Sequence, residues 1–131
     1  MSTTLALLCF AVARIAALAV HEAGHIAVAV TLGASVTLHY DATACRPCTL
    51  VEGLASPCGI KVVQHAGWVV SVALALFACA VLSSIPVTVA TCWTALDALT
   101  SDLAGVVPRG PRPGGESAAA AFWCGNFGLL V

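Results

Sequence analysis

Three long apolar blocks restrict the fold of this chain more than any other feature of its sequence. They run from Leu5 to Leu32, from Ala66 to Leu82 and from Ile85 to Val107. A helix needs roughly 20 mainly apolar residues to cross a bilayer, so the first and third blocks are long enough and the second is slightly short. Hydrophobic residues make up 60% of the chain and charged residues only 8%, too few to cover a water-soluble globule. We therefore expect an integral, multi-pass membrane protein.

The blocks predict three spanning helices, at about residues 4–32, 63–83 and 86–106. We do not interpret the first as a cleaved signal peptide, because no basic segment precedes it. Its apolar run also continues directly into a polar cluster instead of ending at a cleavage site.

The segment between the first two helices is predicted to be partly extended. Residues 35–40 are β-branched and partly alternating, residues 41–57 resemble a loop, and residues 59–63 are predicted as a return strand. The expected fold is an all-α membrane protein, with a three-transmembrane-helix core and a short extended or hairpin segment between the first and second helices. Residues 1–107 form this core, and residues 108–131 are a Pro/Gly-rich linker followed by the start of a further apolar segment.

Basic residues outside the apolar blocks indicate an orientation. Arg46 and Lys61 lie between the first two helices, and Arg109 and Arg112 follow the third. With three spans, both segments lie on one side, which the positive-inside rule assigns to the cytoplasm or its equivalent compartment. The formal net charge of -1 gives no indication of a nucleic-acid partner, so none is expected.

A cluster of ionisable residues interrupts the first block with the HExxH pattern His21-Glu22-Ala-Gly-His25. On a helix, residues i and i+4 lie on one face, so both imidazoles can bind one tetrahedral zinc. Glu22 lies beside that face and can pass a proton from the zinc-bound water to the leaving amine. Chance spacing is the alternative, but a central charge costs a spanning helix about 2.5–3.5 kcal/mol, which is usually tolerated for function. The motif therefore predicts a zinc metalloprotease.

Around this motif the chain resembles the site-2 protease family of intramembrane zinc metallopeptidases. In that family H-E-x-G-H is followed by a small residue, a glycine at the helix end and an extended segment, which here are Ala29, Gly33 and Val36. The family's second helix begins with Ala-Gly-Pro-x-x-Asn. This chain keeps the Ala-Gly and loses the Pro and Asn, with Ala66, Gly67, Trp68 and Ser71 at those positions. The resemblance covers about residues 5–105 in the family's order.

The resemblance also implies an aspartate ligand on the third helix, where Asp97 and Asp102 both occur. Five residues separate them, about 140° around a 3.6-residue helix, so both cannot face one metal. We place Asp102 as the third zinc ligand because it lies near the end of the span, as in family members, and Asp97 is the alternative. Arg14, on roughly the face of His21, either pairs with the aspartate that does not bind zinc or snorkels toward the interface.

The expected function is zinc-dependent hydrolysis of a peptide bond in or near a transmembrane segment of a substrate protein, with Glu22 as general base. The extended segment after Gly33 could pair with the unwound substrate. The alternative is a catalytically inactive relative that acts as a membrane regulatory or binding protein. A metal transporter is less favoured, because residues 66–82 contain no His, Asp or Glu to form a relay.

The remaining histidines and cysteines are weaker candidates. Cys45, Cys48 and Cys58 lack a fourth partner at zinc-ribbon spacing and would be free thiols in a cytoplasmic loop. His39 and His65 are expected at loop or interface positions. His65 is the better functional candidate, because it enters the second helix and could bind substrate or stabilise an oxyanion.

Overall fold

The computed structural model describes residues 2–41, 46–54, 56–104, 107–108 and 120–123, which form three helices and a small sheet. The helices are α1 (Thr3–Thr31), α2 (Pro57–Val81) and α3 (Ile85–Ala104). The strands are β1 (Ser35–Asp41), β2 (Arg46–Glu52), β3 (Val107–Pro108) and β4 (Ala120–Trp123). Strands β1 and β2 form an antiparallel hairpin between α1 and α2, and the strand order is β1-β2-β4-β3.

The return strand lies earlier in the chain than the sequence predicted. Residues 46–52 form β2, so the predicted loop is wrong over these residues, and residues 59–63 belong to α2 and not to a strand. Pro57 occupies the first turn of α2, where its missing N–H costs little. In this first part of α2, apolar residues at helical spacing face the core. Val63 is fully buried, and Ile60, three residues earlier, packs against the same core cluster.

The predicted number and order of helices agree with the structure, and residues 120–123 of the C-terminal stretch pair with the hairpin. Helices α1 and α2 are long and apolar enough to cross a membrane, and α3 contains a shorter apolar stretch, Ile85–Thr100. Strand β4 pairs with β2, so part of residues 108–131 joins the hairpin, and the all-α description is too narrow. The Pro/Gly-rich residues 109–119 lie outside the described residues.

The helices bury small residues and expose large apolar ones. Each helix packs against the other two, and the buried side chains between them are mostly alanines, namely Ala17, Ala29, Ala66, Ala75, Ala78, Ala90, Ala95 and Ala98. Leu7, Leu76 and Leu96, one on each helix, are about two-thirds exposed at 64%, 65% and 66%. Small residues at helix contacts and large apolar residues outside are typical of helices that face lipid.

Gly33 ends α1 in a left-handed conformation, with φ 80°. The N–H of Gly33 donates to the carbonyl of Val30, and the N–H of Ala34 donates to the carbonyl of Ala29, each at 3.0 Å. These two bonds form a Schellman cap, which satisfies carbonyl groups at the helix end and directs the chain into β1. The predicted role of Gly33 in closing the first helix is therefore confirmed.

We expect Gly33→Ala to lower the free energy of unfolding by about 1 kcal/mol, because an L-residue is strained at this positive φ. Gly59 provides a matched control within α2, since a β-carbon there would meet its nearest atom at 3.6 Å, an ordinary contact. Gly59→Ala should raise stability by about 0.5 kcal/mol through helix propensity. Unfolding in detergent micelles measures both, and equal effects would contradict the strained cap.

Candidate metal centre

Helix α1 buries both histidines of the HExxH motif on one face. His21 and His25 are 1% and 0% exposed, and their Nε2 atoms lie 3.2 Å apart. This follows from the spacing, because residues i and i+4 of a helix lie one above the other. The Nε2 atoms of the two rings therefore border one small space between the helices.

Contacts from helix α2 to the Nδ1 atoms of His21 and His25 fix the orientation of both imidazoles. His25 Nδ1 lies 2.7 Å from the carbonyl oxygen of Val63, and His21 Nδ1 lies 3.1 Å from the hydroxyl of Ser71. A carbonyl can only accept, so Nδ1 of His25 carries the hydrogen, and in the neutral ring Nε2 is then free of a proton. Metal-binding histidines are commonly held in this way. Ser71 provides a polar contact to His21.

Gly67 leaves room for the two rings. A β-carbon at this position would lie 2.2 Å from Nε2 of His25 and 2.6 Å from Cε1 of His21, far closer than real contacts allow. Gly24 allows the same close packing from the α1 side, because a β-carbon there would lie 3.1 Å from the carbonyl oxygen of Ala66. Two glycines, one on each helix, therefore bring α2 against the histidines.

Helix α3 brings Asp102 against both histidines. Its Oδ1 lies 3.7 Å from Nε2 of His21, its Oδ2 lies 3.6 Å from Nε2 of His25, and the residue is buried. The backbone N–H of Trp68 donates to Oδ2 at 2.9 Å, and the side-chain amide of Gln64 donates to the Asp102 carbonyl. Proline, which the family pattern has at the position of Trp68, could not donate this bond.

Asp97 has a different environment and pairs with Arg14. The Arg14 guanidinium forms an ion pair with the Asp97 carboxylate and donates to Thr94 Oγ1 at 2.8 Å. Both charged side chains are mostly buried, 12% and 19% exposed. Of the two alternatives for Arg14, the structure shows pairing with an aspartate and not snorkelling to the interface. The two aspartates therefore have different partners. Asp97 pairs with Arg14, and Asp102 lies beside the two histidines.

Glu22 lies beside the histidines with two differently placed oxygens. Its Oε2 accepts a hydrogen bond from Thr49 Oγ1 at 2.5 Å. Its Oε1 is buried, lies 3.6 Å from Nε2 of His21, and has no hydrogen-bond partner among the residues that the structure describes. A buried carboxylate oxygen without a partner is costly, so this oxygen is available to accept a hydrogen bond or to contact a cation.

The donor atoms fit the spacing that zinc requires. In a tetrahedron, bonds of about 2.0–2.2 Å place neighbouring ligand atoms about 3.3–3.6 Å apart. The Nε2 atoms of His21 and His25 lie 3.2 Å apart, and each is approached by a different Asp102 oxygen, Oδ1 at 3.7 Å and Oδ2 at 3.6 Å. These separations are within about 0.1 Å of that range. Two imidazoles and one carboxylate form a common ligand set for catalytic zinc, which leaves the fourth position for water or substrate.

The other predicted candidates lie elsewhere or outside the described side chains. His65 belongs to α2, where its Nδ1 accepts a hydrogen bond from the Trp68 indole at 2.9 Å. The second helix therefore does contain a histidine, which lies just before the apolar residues 66–82 that were counted against a transporter. Cys58 is a free, exposed cysteine. The side chains of His39, Cys45 and Cys48 are outside the described part of the chain.

Fold and site together define a mostly helical protein with two helices long and apolar enough to cross a membrane. They also define a His-Glu-His group, with both histidines buried, that could hold a metal ion. Comparison of the chain with protein-family models, curated proteins and solved structures gives no match. The site must therefore be interpreted from its own geometry.

We expect Gly67→Ala to lower zinc occupancy at least tenfold, because the added methyl group occupies the space of the imidazoles. Zinc per chain is measured by elemental analysis after dialysis against a weak chelator. Gly59→Ala, the same change on the same helix away from the rings, is the control and should retain zinc. Full occupancy in Gly67→Ala would contradict the close approach of α2.

The two aspartates should respond differently to substitution. Asp102→Ala should lower zinc affinity by well over tenfold, more than a typical change behind a ligand causes. Asp97→Ala should keep zinc but lower the free energy of unfolding by about 3 kcal/mol, because it leaves Arg14 buried and unpaired. The double change Arg14→Met with Asp97→Leu should recover most of that loss. Loss of zinc from Asp97→Ala alone would reverse the assignment.

Proposed function

We propose that this protein is a zinc-dependent intramembrane endopeptidase of the site-2 protease type. The observation that carries the proposal is the placement of His21, His25 and Asp102 from two helices at separations suited to tetrahedral zinc. Glu22 adds a buried carboxylate oxygen, without a partner among the described residues, at the edge of the same space. Ligands, an open position and an adjacent base are the parts that metal-assisted peptide hydrolysis needs.

Each residue has a distinct role in this proposal. His21, His25 and Asp102 hold the metal, and the contacts from α2 keep the two imidazoles oriented. Zinc bound there would supply a Lewis acid that polarises the scissile carbonyl and makes a water molecule easier to deprotonate. Glu22 takes the proton of the attacking water at Oε1 and then gives it to the leaving amine.

The surroundings of the site support a substrate that is itself within the membrane. All three helices expose large apolar side chains, and α3, with 20 residues, rises about 30 Å, the thickness of the hydrocarbon core. We therefore propose α3 as a third span, so that the protein is a multi-pass membrane protein. Its partners are the lipid bilayer and a membrane protein substrate whose transmembrane segment unwinds locally to reach the metal.

The hairpin provides a surface for such an unwound segment. In the described sheet β1 lies at one edge and pairs with β2 alone, so its other side can add an extended strand. The hairpin follows α1 directly, and Thr49 of β2 contacts Glu22. The basic residues Arg46 and Lys61 lie in the segment that runs from the hairpin into the first turns of α2, and under the positive-inside rule they support a cytoplasmic side for this segment.

The proposal predicts a separation of metal binding from catalysis. Wild-type protein and Glu22→Gln should each carry about one zinc per chain, because the substitution leaves all three ligands in place. Glu22→Gln should nevertheless abolish cleavage, because it removes the base. His21→Ala should lose both zinc and cleavage. Cleavage is measured in proteoliposomes with a panel of labelled single-span peptides that contain helix-destabilising residues.

Each outcome of that experiment decides between hypotheses. Unchanged cleavage by Glu22→Gln would show that Glu22 is not the base. Full zinc occupancy in His21→Ala would overturn the ligand assignment. Zinc in the wild-type protein with no cleavage of any peptide would favour the alternative of an inactive relative that binds or regulates a membrane partner.

A further inference from the structure

Thr49 is a buried polar residue that the sequence did not single out. It lies in β2, is 0% exposed, and donates its hydroxyl hydrogen to Oε2 of Glu22 at 2.5 Å. Hydrogen bonds to a carboxylate are stronger than those between neutral groups, so this contact is well suited to hold a flexible side chain. It is a direct link between the hairpin and the HExxH motif.

The hydrogen bond leaves the two Glu22 oxygens in different positions. Oε2 is occupied by Thr49, while Oε1 is turned toward Nε2 of His21, 3.6 Å away. A glutamate has three side-chain torsions, and ordering them has an entropic cost that a fixed partner must offset. Because Thr49 anchors one oxygen, the other is held next to the space where the reacting water would lie.

The strand holds the Thr49 hydroxyl in a fixed position. Strand β2 is internal to the described sheet, and the backbone of Thr49 pairs with Leu38 of β1 on one side and with Phe122 of β4 on the other. Val51, two residues further on and thus on the same face of the strand, is 1% exposed and packs in the core beside Ala29. This packing directs the face of β2 that carries Thr49 toward α1.

We infer that Thr49 is a positioning residue for the general base, through which the hairpin controls the orientation of Glu22. This inference rests on the proposed peptidase function and extends it. Thr49 does not touch the metal ligands in this assignment, so its loss should weaken turnover while metal binding is preserved. Any movement of β2, for example when a strand adds to the sheet, would be transmitted to the carboxylate.

The test compares Thr49→Val, which removes the hydroxyl at nearly constant volume, with Thr49→Ser, which keeps it. Thr49→Val should lower kcat roughly 10- to 100-fold, the range typical of groups that orient catalytic residues. Its KM for a labelled single-span peptide and its zinc content should stay at wild-type values. Thr49→Ser should restore most of the turnover. Thr4→Val, the same change at an exposed position near the start of α1, should leave kcat unchanged.

A second measurement does not depend on catalysis. In zinc-free protein, the melting temperatures of Thr49→Val, Glu22→Ala and the double variant form a double-mutant cycle. We expect Thr49→Val to lower the melting temperature in the wild-type background and to have little effect once Glu22 is absent.

The outcomes of the two measurements separate the inference from the proposed function. Additive shifts in melting temperature, or wild-type kcat in Thr49→Val, would overturn the positioning role. Equal losses of kcat in Thr49→Val and Thr49→Ser would also overturn the positioning role. Non-additive shifts in a protein that cleaves no peptide would support the contact between Thr49 and Glu22 while the peptidase function fails.

Discussion

The site depends on the approach of α2 to the two histidines of α1 at Gly67. A β-carbon there would overlap the imidazoles of His21 and His25, so the helices can close only because none is present. Once they are close, the carbonyl of Val63 and the hydroxyl of Ser71 reach the far nitrogens of the two rings. Helix packing and ligand orientation are therefore set by the same contact, and a change that separates the helices also disorders the rings.

The apolar surroundings explain why the polar groups are so fully paired. A buried polar atom without a partner costs about 1–3 kcal/mol, and in a bilayer no water is at hand to replace a lost partner. Arg14 is satisfied by Asp97 and Thr94, and both nitrogens of His21 have polar neighbours. Oε1 of Glu22 is the exception among the described side-chain atoms. This atom lies 3.6 Å from Nε2 of His21, which is where the proposed general base would have to be.

The sequence predicted those parts of the site that follow from helical periodicity. The four-residue spacing of His21 and His25 gave their common face, and the 140° between Asp97 and Asp102 required them to have different partners. The prediction from the sequence failed where contacts depend on strand pairing. Residues 46–52 were assigned to a loop because turn-forming residues, namely Asp41, Pro47, Gly53 and Pro57, recur through residues 41–57. Thr49 was missed for the same reason, since only the register of β2 brings it to Glu22.

Helix α3 makes two polar contacts with α1: Asp97 and Thr94 contact Arg14, and Asp102 lies beside the two histidines. Both contacts require the same rotation of α3 about its axis. Thr94 and Asp97 are three residues apart, share one face of α3, and are both held by Arg14. A helix fixed on that face must turn Asp102 about 140° away, toward the space that α2 also borders. There the N–H of Trp68 donates to its carboxylate. The ion pair on one face and the N–H of Trp68 on the other therefore favour the same rotation of α3, the one in which Asp102 lies beside the histidines.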